Sequence, residues 1–474
     1  MVRSPSFPGR RRTETQRRPR LYDEHVLPAL ARLKEAFRAL RHRNFRLFLG
    51  GQIVSLVGTW MQRVALGWLV YRLTHSAFLL GLVGFAGQIP SLFISPVAGV
   101  WADRWNRHRL VIATQTLSMV QALVLAALVL RGSVAIWQLV ALSLFLGLVN
   151  AFDVPARQAF LVQMVEGKDD LANAIALNSS TFNAARLVGP AIAGVLIVEV
   201  GEGLVFLVNG VSYVAVLAAL VAIRVAPEPG GARPSGHPWH NLKEGVAYAW
   251  RLAPIRTLLL MVGLAGFAGM PYRVLMPVFA TDVLHGDAHT LGFLTGSIGV
   301  GALAGALYLA ARRGVRGLGR VILVAVVVTG AALVGFAASR SFALSLVLVL
   351  FAGFGVMVLT ASCNTILQTI VDDDKRGRVM SFYAAALQGT MPLGSLLAGV
   401  LADVVGAPLT VLAGGAACLL GALGYARTLP ALRREMRPIY VRLGIVPEVA
   451  AGLESATEPI PAARPLPVEK RPSP

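Results

Sequence analysis

The sequence predicts an all-α membrane protein of twelve transmembrane helices, arranged as two parallel six-helix repeats. Three observations predict it: a composition too apolar for water, apolar runs of spanning length recurring along the chain, and related text in the two halves at a fixed offset. Of 474 residues, 55% are hydrophobic and 14% are charged. Soluble domains carry about 25% charged residues, so lipid must be the solvent for most of this chain.

A hydrocarbon layer of ~30 Å needs about 20 apolar residues per helix. Twelve such runs are read at 47–71, 77–100, 110–130, 134–156, 172–198, 203–223, 255–284, 289–311, 320–339, 342–366, 378–404 and 408–426. The net charge of +20 would suggest nucleic acid in a soluble protein. Here the positions of the charges speak for the membrane. All but six of the 44 lysines and arginines lie in the two tails, in the even-numbered loops or within the first two residues of the span that follows such a loop. The exceptions are Arg72, Arg131 and Arg340 in odd-numbered loops and Arg63, Arg186 and Arg273 inside spans. The positive-inside rule then places both termini in the cytoplasm, in a multi-pass arrangement across a bacterial inner membrane, and excludes a nucleic-acid partner.

The first apolar run is of spanning length, so the basic N-terminus is no cleavable signal peptide. Residues 1–44 read as a basic arm lying near anionic headgroups. A six-helix bundle follows over 45–225, a linker over 226–253, a second bundle over 254–427 and a tail over 428–474. The linker is marked by Pro227-Glu228-Pro229-Gly230-Gly231, which cannot pack, and the end of the tail is proline-rich. At an offset of 205, Ala193-Gly194-Val195-Leu196 recurs as Ala398-Gly399-Val400-Leu401, and Gln163, Gly189 and Gly201 recur as Gln368, Gly394 and Gly406. Such repeats place a central pathway between the halves.

Between helices two and three stands Gly99-Val100-Trp101-Ala102-Asp103-Arg104-Trp105-Asn106-Arg107-His108-Arg109. This stretch resembles the signature of the major facilitator superfamily. The run from Asn44 to Ser76, with Gly58-Thr59-Trp60-Met61-Gln62, and the later Phe152-Asp153-Val154-Pro155-Ala156-Arg157-Gln158 are similar to its transmembrane secretion effector branch, which includes enterobactin exporters. The resemblance runs from about Phe37 to Arg427. It implies a gate in which Arg107 works with a helix-four carboxylate, here Asp153. Physically, Gly99 allows close helix approach, and Asp103 suits the positive N-terminal end of helix eleven, closing the cytoplasmic side. The second half departs from the pattern, with Leu309 where the acid would stand. On helix five, Gly189-Pro190-Ala191-Ile192-Ala193-Gly194 resembles an antiporter signature, and its proline predicts a bend or a sealed leak path.

Polar stripes predict the pathway. Gln52, Ser55, Thr59, Gln62 and Arg63 share one face of helix one, as Ser179, Asn183 and Arg186 do on helix five. Arg273 lies in helix seven, and the second half offers Gln388, Asn364, Ser362 and Thr360. Arg63, Arg186 and Arg273 fall at similar depths and predict a cationic zone favouring anionic or catechol-like groups, since charges in lipid must meet water, helix carbonyls or cargo. No histidine and no carboxylate is read at mid-membrane. Proton antiport is implied by the resemblance alone. No phosphate-binding loop, metal cluster or nucleophile–base set is present in the sequence, so neither a cofactor nor an enzymatic activity is expected. The expectation is a monomeric secondary transporter that exports small amphipathic molecules, siderophore-like metabolites or drugs, by alternating access. An importer, or a scaffold or sensor on a transporter fold, stands as the alternative.

Overall fold

The computed structural model describes residues 35, 37–102, 105–224, 252–312 and 314–445. Asp103, the linker at 226–251, most of the basic arm and the proline-rich end of the tail lie outside these residues. Among the described residues, eleven helices are long and apolar enough to cross a bilayer. One of them, Lys168–Ala222, holds 55 residues. At the helical rise that is about 80 Å, far beyond a single crossing. It folds back at Gly201, whose φ of 80° and ψ of 166° are not helical, and so supplies two spans.

The twelve spans are α1 (Arg43–Thr74), α2 (Ala77–Ala86 continuing as Ile89–Ala102), α3 (Arg107–Leu130) and α4 (Ile136–Gln163). They continue as α5 (168–200), α6 (202–222), α7 (Ala253–Val283), α8 (Ala288–Ala310) and α9 (Leu318–Ala338). The last are α10 (Phe342–Ile370), α11 (Asp373–Ala384 resuming as Thr390–Val405) and α12 (Ala407–Arg442). The sequence repeat is a backbone repeat: Gly406, between α11 and α12, has φ 89° and ψ 151°, nearly the values of Gly201. His75 and His285, which follow α1 and α7, share the left-handed region at φ 47° and 52°.

Two spans are irregular. α7 passes through π-helical turns at Ala265–Gly269 and Phe279–Val283, with a 3-10 turn at Pro271–Arg273 between them. Pro271 and Pro277 lack the amide that a regular helix needs there. α11 has a π-helical turn at Ala385–Gly389, and the two wide segments pack on each other: a Cβ at Gly266 would lie 2.8 Å from the Leu387 carbonyl oxygen. Broken helices at membrane depth are tolerated where they are enclosed by protein or line a wet cavity.

Burial divides the molecule into two unlike ends. At the hairpin end, where α1 turns into α2 and α11 into α12, one hydrophobic core joins both halves through Leu69, Leu80, Phe206, Phe279, Leu294 and Phe336. At the opposite end there are two cores. Phe45, Val111, Phe160 and Leu220 pack within the first half, and Ile255, Ile322, Leu367 and Leu429 within the second. Among the described residues, the halves thus share one core at the hairpin end and have a core each at the other.

Two seams carry the seal. On α5 and α8, a Cβ at Gly194 would meet the Ala288 carbonyl oxygen at 2.8 Å and Gly292 Cα at 3.0 Å. On α2 and α11, one at Gly399 would meet the Ala77 carbonyl oxygen at 2.6 Å and Gly81 Cα at 3.1 Å. Gly194 and Gly399 are the partners of the sequence repeat, so the two repeats bring the same glycine to one seam each.

Both tails differ from expectation where they leave the bundle. α12 runs to Arg442 and buries Leu429, Leu432 and Met436, so the predicted tail begins as packed helix. Spacings of three and four residues put these side chains on one face. The end of the basic arm also docks: Arg38–Arg41 forms a 3-10 turn, Ala39 is fully buried, and Arg38, Arg41 and His42 converge on the Asp170 carboxylate. Leu432→Ala is expected to cost about 2–3 kcal/mol, the low end for a buried leucine. A detergent melting curve unchanged by that substitution would show that the extension is not part of the core.

Candidate functional site

The three intramembrane arginines come together. Arg186 lies within electrostatic range of both Arg63 and Arg273. The guanidinium of Arg63 sits over the Trp60 ring at 4.6 Å and that of Arg273 is 6.0 Å from the Tyr272 ring centre. Trp60 in turn meets Phe182 edge-on at 5.6 Å. Arg63 is exposed although it lies eleven residues before the end of α1. Arg186 and Arg273 are half-buried. Ser179 and Asn183 continue the α5 stripe below Arg186, with the Asn183 amide donating to the Ser179 carbonyl at 2.9 Å. Gln388 is exposed in the π-helical turn of α11.

Gln62 is corrected. It is 3% exposed and points into the first half, where its amide donates to Gln121 at 2.9 Å and accepts from Asn209 at 2.7 Å. Its place on a polar stripe is real, but that edge of the stripe ties α1 to α3 and α6. Gln52 and Ser55, at 2% exposure, are likewise interior, and Ser362 is buried in the second half.

Asp153 also differs from expectation. α4 runs on to Gln163, so the carboxylate is ten residues, or about 15 Å, from the helix end. It is 2% exposed. It accepts from Thr114 and Gln115 at 2.8 Å each and pairs with Arg157, one helical turn on, at 3.2 Å. Arg157 also donates to Gln52 at 3.2 Å. Thr114 stands seven residues above Arg107 on α3, about 10 Å deeper. The partner that neutralises Asp153 is therefore Arg157, and all these contacts stay within the first half. A buried carboxylate at membrane depth is present after all.

Of the other gating candidates, Gly99 lies three residues before the end of the second part of α2, and Arg107 opens α3. Gly189 holds α5 on α1, where a Cβ would meet Trp60 Cβ at 2.6 Å. Pro190 lies on the seam, its carbonyl oxygen 2.8 Å from a Cβ built at Gly292.

Sequence reasoning missed the polar latch at the hairpin end. Asp403 of α11 accepts from the Ser76 hydroxyl at 2.8 Å and from the Ala77 amide at 2.6 Å, capping the first turn of α2 from the other half. The Tyr71 hydroxyl donates to Asp282 of α7. Arg72 holds Glu202 through two hydrogen bonds of 2.8 and 3.2 Å within the first half. Asp403 sits three residues before Gly406 in the second repeat, and its link to Ser76 spans 327 positions, which no local pattern reveals. Asp403→Ala should cost about 1–2 kcal/mol of closed-end stability, as loss of a helix cap does. Thiol labelling at Ser76→Cys measures it, with faster labelling expected and an unchanged rate counting against the latch.

The family match covers residues 34–457 and is described as transmembrane secretion effector. The chain belongs to that family of major facilitator transporters. It is a multi-pass membrane transporter of small molecules and not an enzyme. Among its relatives is the staphyloferrin A transporter of Staphylococcus aureus, 27% identical over 76% of this chain and 90% of that protein. The multidrug efflux pump Tap of Mycolicibacterium fortuitum is 28% identical over 77% of this chain and 91% of the pump. Macrolide efflux protein A of Streptococcus pyogenes is 24% identical over 77% and 90%. The fold matches a solved bacterial homologue of the human lysosomal transporter Spinster, in an inward-facing, occupied conformation, with TM-score 0.62, 13% identity and coverage of 83% and 98%.

Proposed function

We propose that this transmembrane secretion effector is a monomeric, proton-coupled secondary exporter of small amphipathic molecules, working by alternating access between bundles 45–225 and 254–427. The observation that carries the reading is the contrast between one shared core at the hairpin end and two separate cores at the other. Two rigid halves hinged over a polar, partly exposed mid-depth zone need only exchange which end is sealed. The open end carries the basic tails and loops, so the positive-inside rule favours an inward-open state of a bacterial cytoplasmic membrane protein. The relatives named for efflux of drugs and macrolides and for staphyloferrin A favour export of siderophore-like metabolites or drugs. No nucleotide-binding loop is in the sequence, so a gradient supplies the energy.

The coupling proton has one well-placed acceptor among the described residues. Asp153 is a carboxylate buried within a span, and an exchange of its Arg157 pairing for a proton would couple protonation to packing of α1, α3 and α4. Inverted vesicles with an imposed pH gradient test the reading. Uptake of an amphipathic dye should follow the gradient, and Asp153→Asn should retain uptake but lose its pH dependence. Absence of gradient-driven flux across a broad panel of compounds would move the protein to the scaffold class.

A further inference from the structure

From Arg63, Arg186 and Arg273 we infer a binding site for the anionic part of the cargo, suited to an aromatic or amphipathic molecule bearing two or more carboxylates. The inference rests on the transporter reading and names the substrate class of that same pathway. Its first ground is missing compensation. Among the described residues no hydrogen bond and no ion pair reaches the guanidinium of any of the three, whereas Arg38, Arg41, Arg72 and Arg157 each meet a carboxylate. Nε and Nη2 of Arg273 are buried with no hydrogen-bond partner, a state that costs free energy unless something else occupies them. Arg186 is within electrostatic range of both other charges, and like charges in a low-dielectric surround repel. Asp153 offers no relief, because Arg157 takes up its charge.

The second ground is placement. The three residues stand roughly 15–22 Å below the hairpin end at the helical rise. They lie below the core that both halves share. Arg63 and Arg186 belong to the first half and Arg273 to the second, so an anion held by all three bridges the halves. Arg273 projects from the 3-10 turn at Pro271–Arg273, where the break in α7 replaces regular helix. The third ground is the wall. Trp60 and Phe182 form an edge-on pair beside Arg63, and the buried Tyr272 hydroxyl has no partner. Planar guanidinium groups match carboxylates in a two-pronged geometry, and aromatic faces take the apolar body. Macroscopically, the site asks for charge at one end and a ring or chain at the other.

The test uses the full-length protein in lipid nanodiscs, with trimesate as the probe and its neutral triamide as the control. Trimesate should bind with an affinity that falls as salt rises, and the triamide should not compete. Arg186→Gln and Arg273→Gln should each weaken trimesate binding roughly tenfold to a hundredfold, the loss expected for a charge-assisted contact. Both variants should melt at the same temperature as the parent or higher in the absence of probe, since each removes an uncompensated charge. A packing role would instead lower the melting temperature and leave probe affinity in the surviving protein unchanged. No trimesate binding at millimolar concentration, equal binding of the triamide, or unchanged affinity in both variants would overturn the site. Flux of neutral or cationic compounds in vesicles separates the two proposals. Such flux without trimesate binding refutes the anion site alone, while trimesate binding without gradient-driven flux of any compound refutes the export reading alone.

Discussion

Leucine in place of Gly194 or Gly399 is expected to hold the hairpin end open and to lower the population of the closed-end state by roughly a hundredfold or more. Even the first added carbon would lie 2.8 Å from the Ala288 carbonyl oxygen at Gly194, or 2.6 Å from that of Ala77 at Gly399. Overpacking costs about 1–3 kcal/mol where side chains can move aside. At these seams the opposing atoms are backbone, so the cost falls at the top of that range or above it. About 2.8 kcal/mol is a hundredfold in population. Because the contact exists only when the halves meet, the strain is relieved by separating them, and each bundle stays folded. Spin labels at Ser133→Cys and Ser341→Cys, in turns of opposite halves, should report a longer distance in either leucine variant. Gly424→Leu serves as the control, since nothing lies within 4 Å of a Cβ there. The same distance in all three variants would dissociate the glycines from closure.

The second large effect lies at Asp153. Asp153→Ala should destabilise the first half by about 3 kcal/mol, the lower end for breaking a buried ion pair, because Arg157 keeps a quarter of its side-chain surface exposed. Thr114 and Gln115 lose their acceptor at the same time. The double variant Asp153→Ala with Arg157→Met should recover much of the loss, since no buried charge is then left alone. Melting curves of the two single variants and the double measure the coupling. Strict additivity would mean that Arg157 does not compensate Asp153.

Span count and the two-fold repeat were legible because the bilayer fixes them. Helix length must match hydrocarbon thickness, and Gly201 and Gly406 must recur where each repeat makes the same turn. The polar stripe on α1 was legible only as a stripe. Nothing in its spacing distinguishes Gln62, which bonds Gln121 and Asn209, from Arg63, which is exposed and lies over the Trp60 ring. The Asp153–Arg157 pair was readable, since four residues apart on a helix is salt-bridge spacing. The family pattern drew attention to Arg107 instead. The α12 extension was obscured by Pro430 and by arginines that read as tail, although Leu429, Leu432 and Met436 already had helical spacing. The Asp403 latch depends on two helices from opposite halves meeting end to end, which is a tertiary fact.

If the two halves alternate as proposed, transport requires the sealed hairpin end to open. Ser76→Cys and Asp403→Cys place thiols where a hydroxyl and a carboxylate now meet at 2.8 Å, in a background with Cys363→Ala and Cys418→Ala. Gradient-driven dye flux in inverted vesicles is measured before oxidation, after it, and after reduction. Flux is expected in the reduced protein, with its loss when the disulfide forms and its return with reductant. Undiminished flux through fully cross-linked protein would contradict alternating access across this seal.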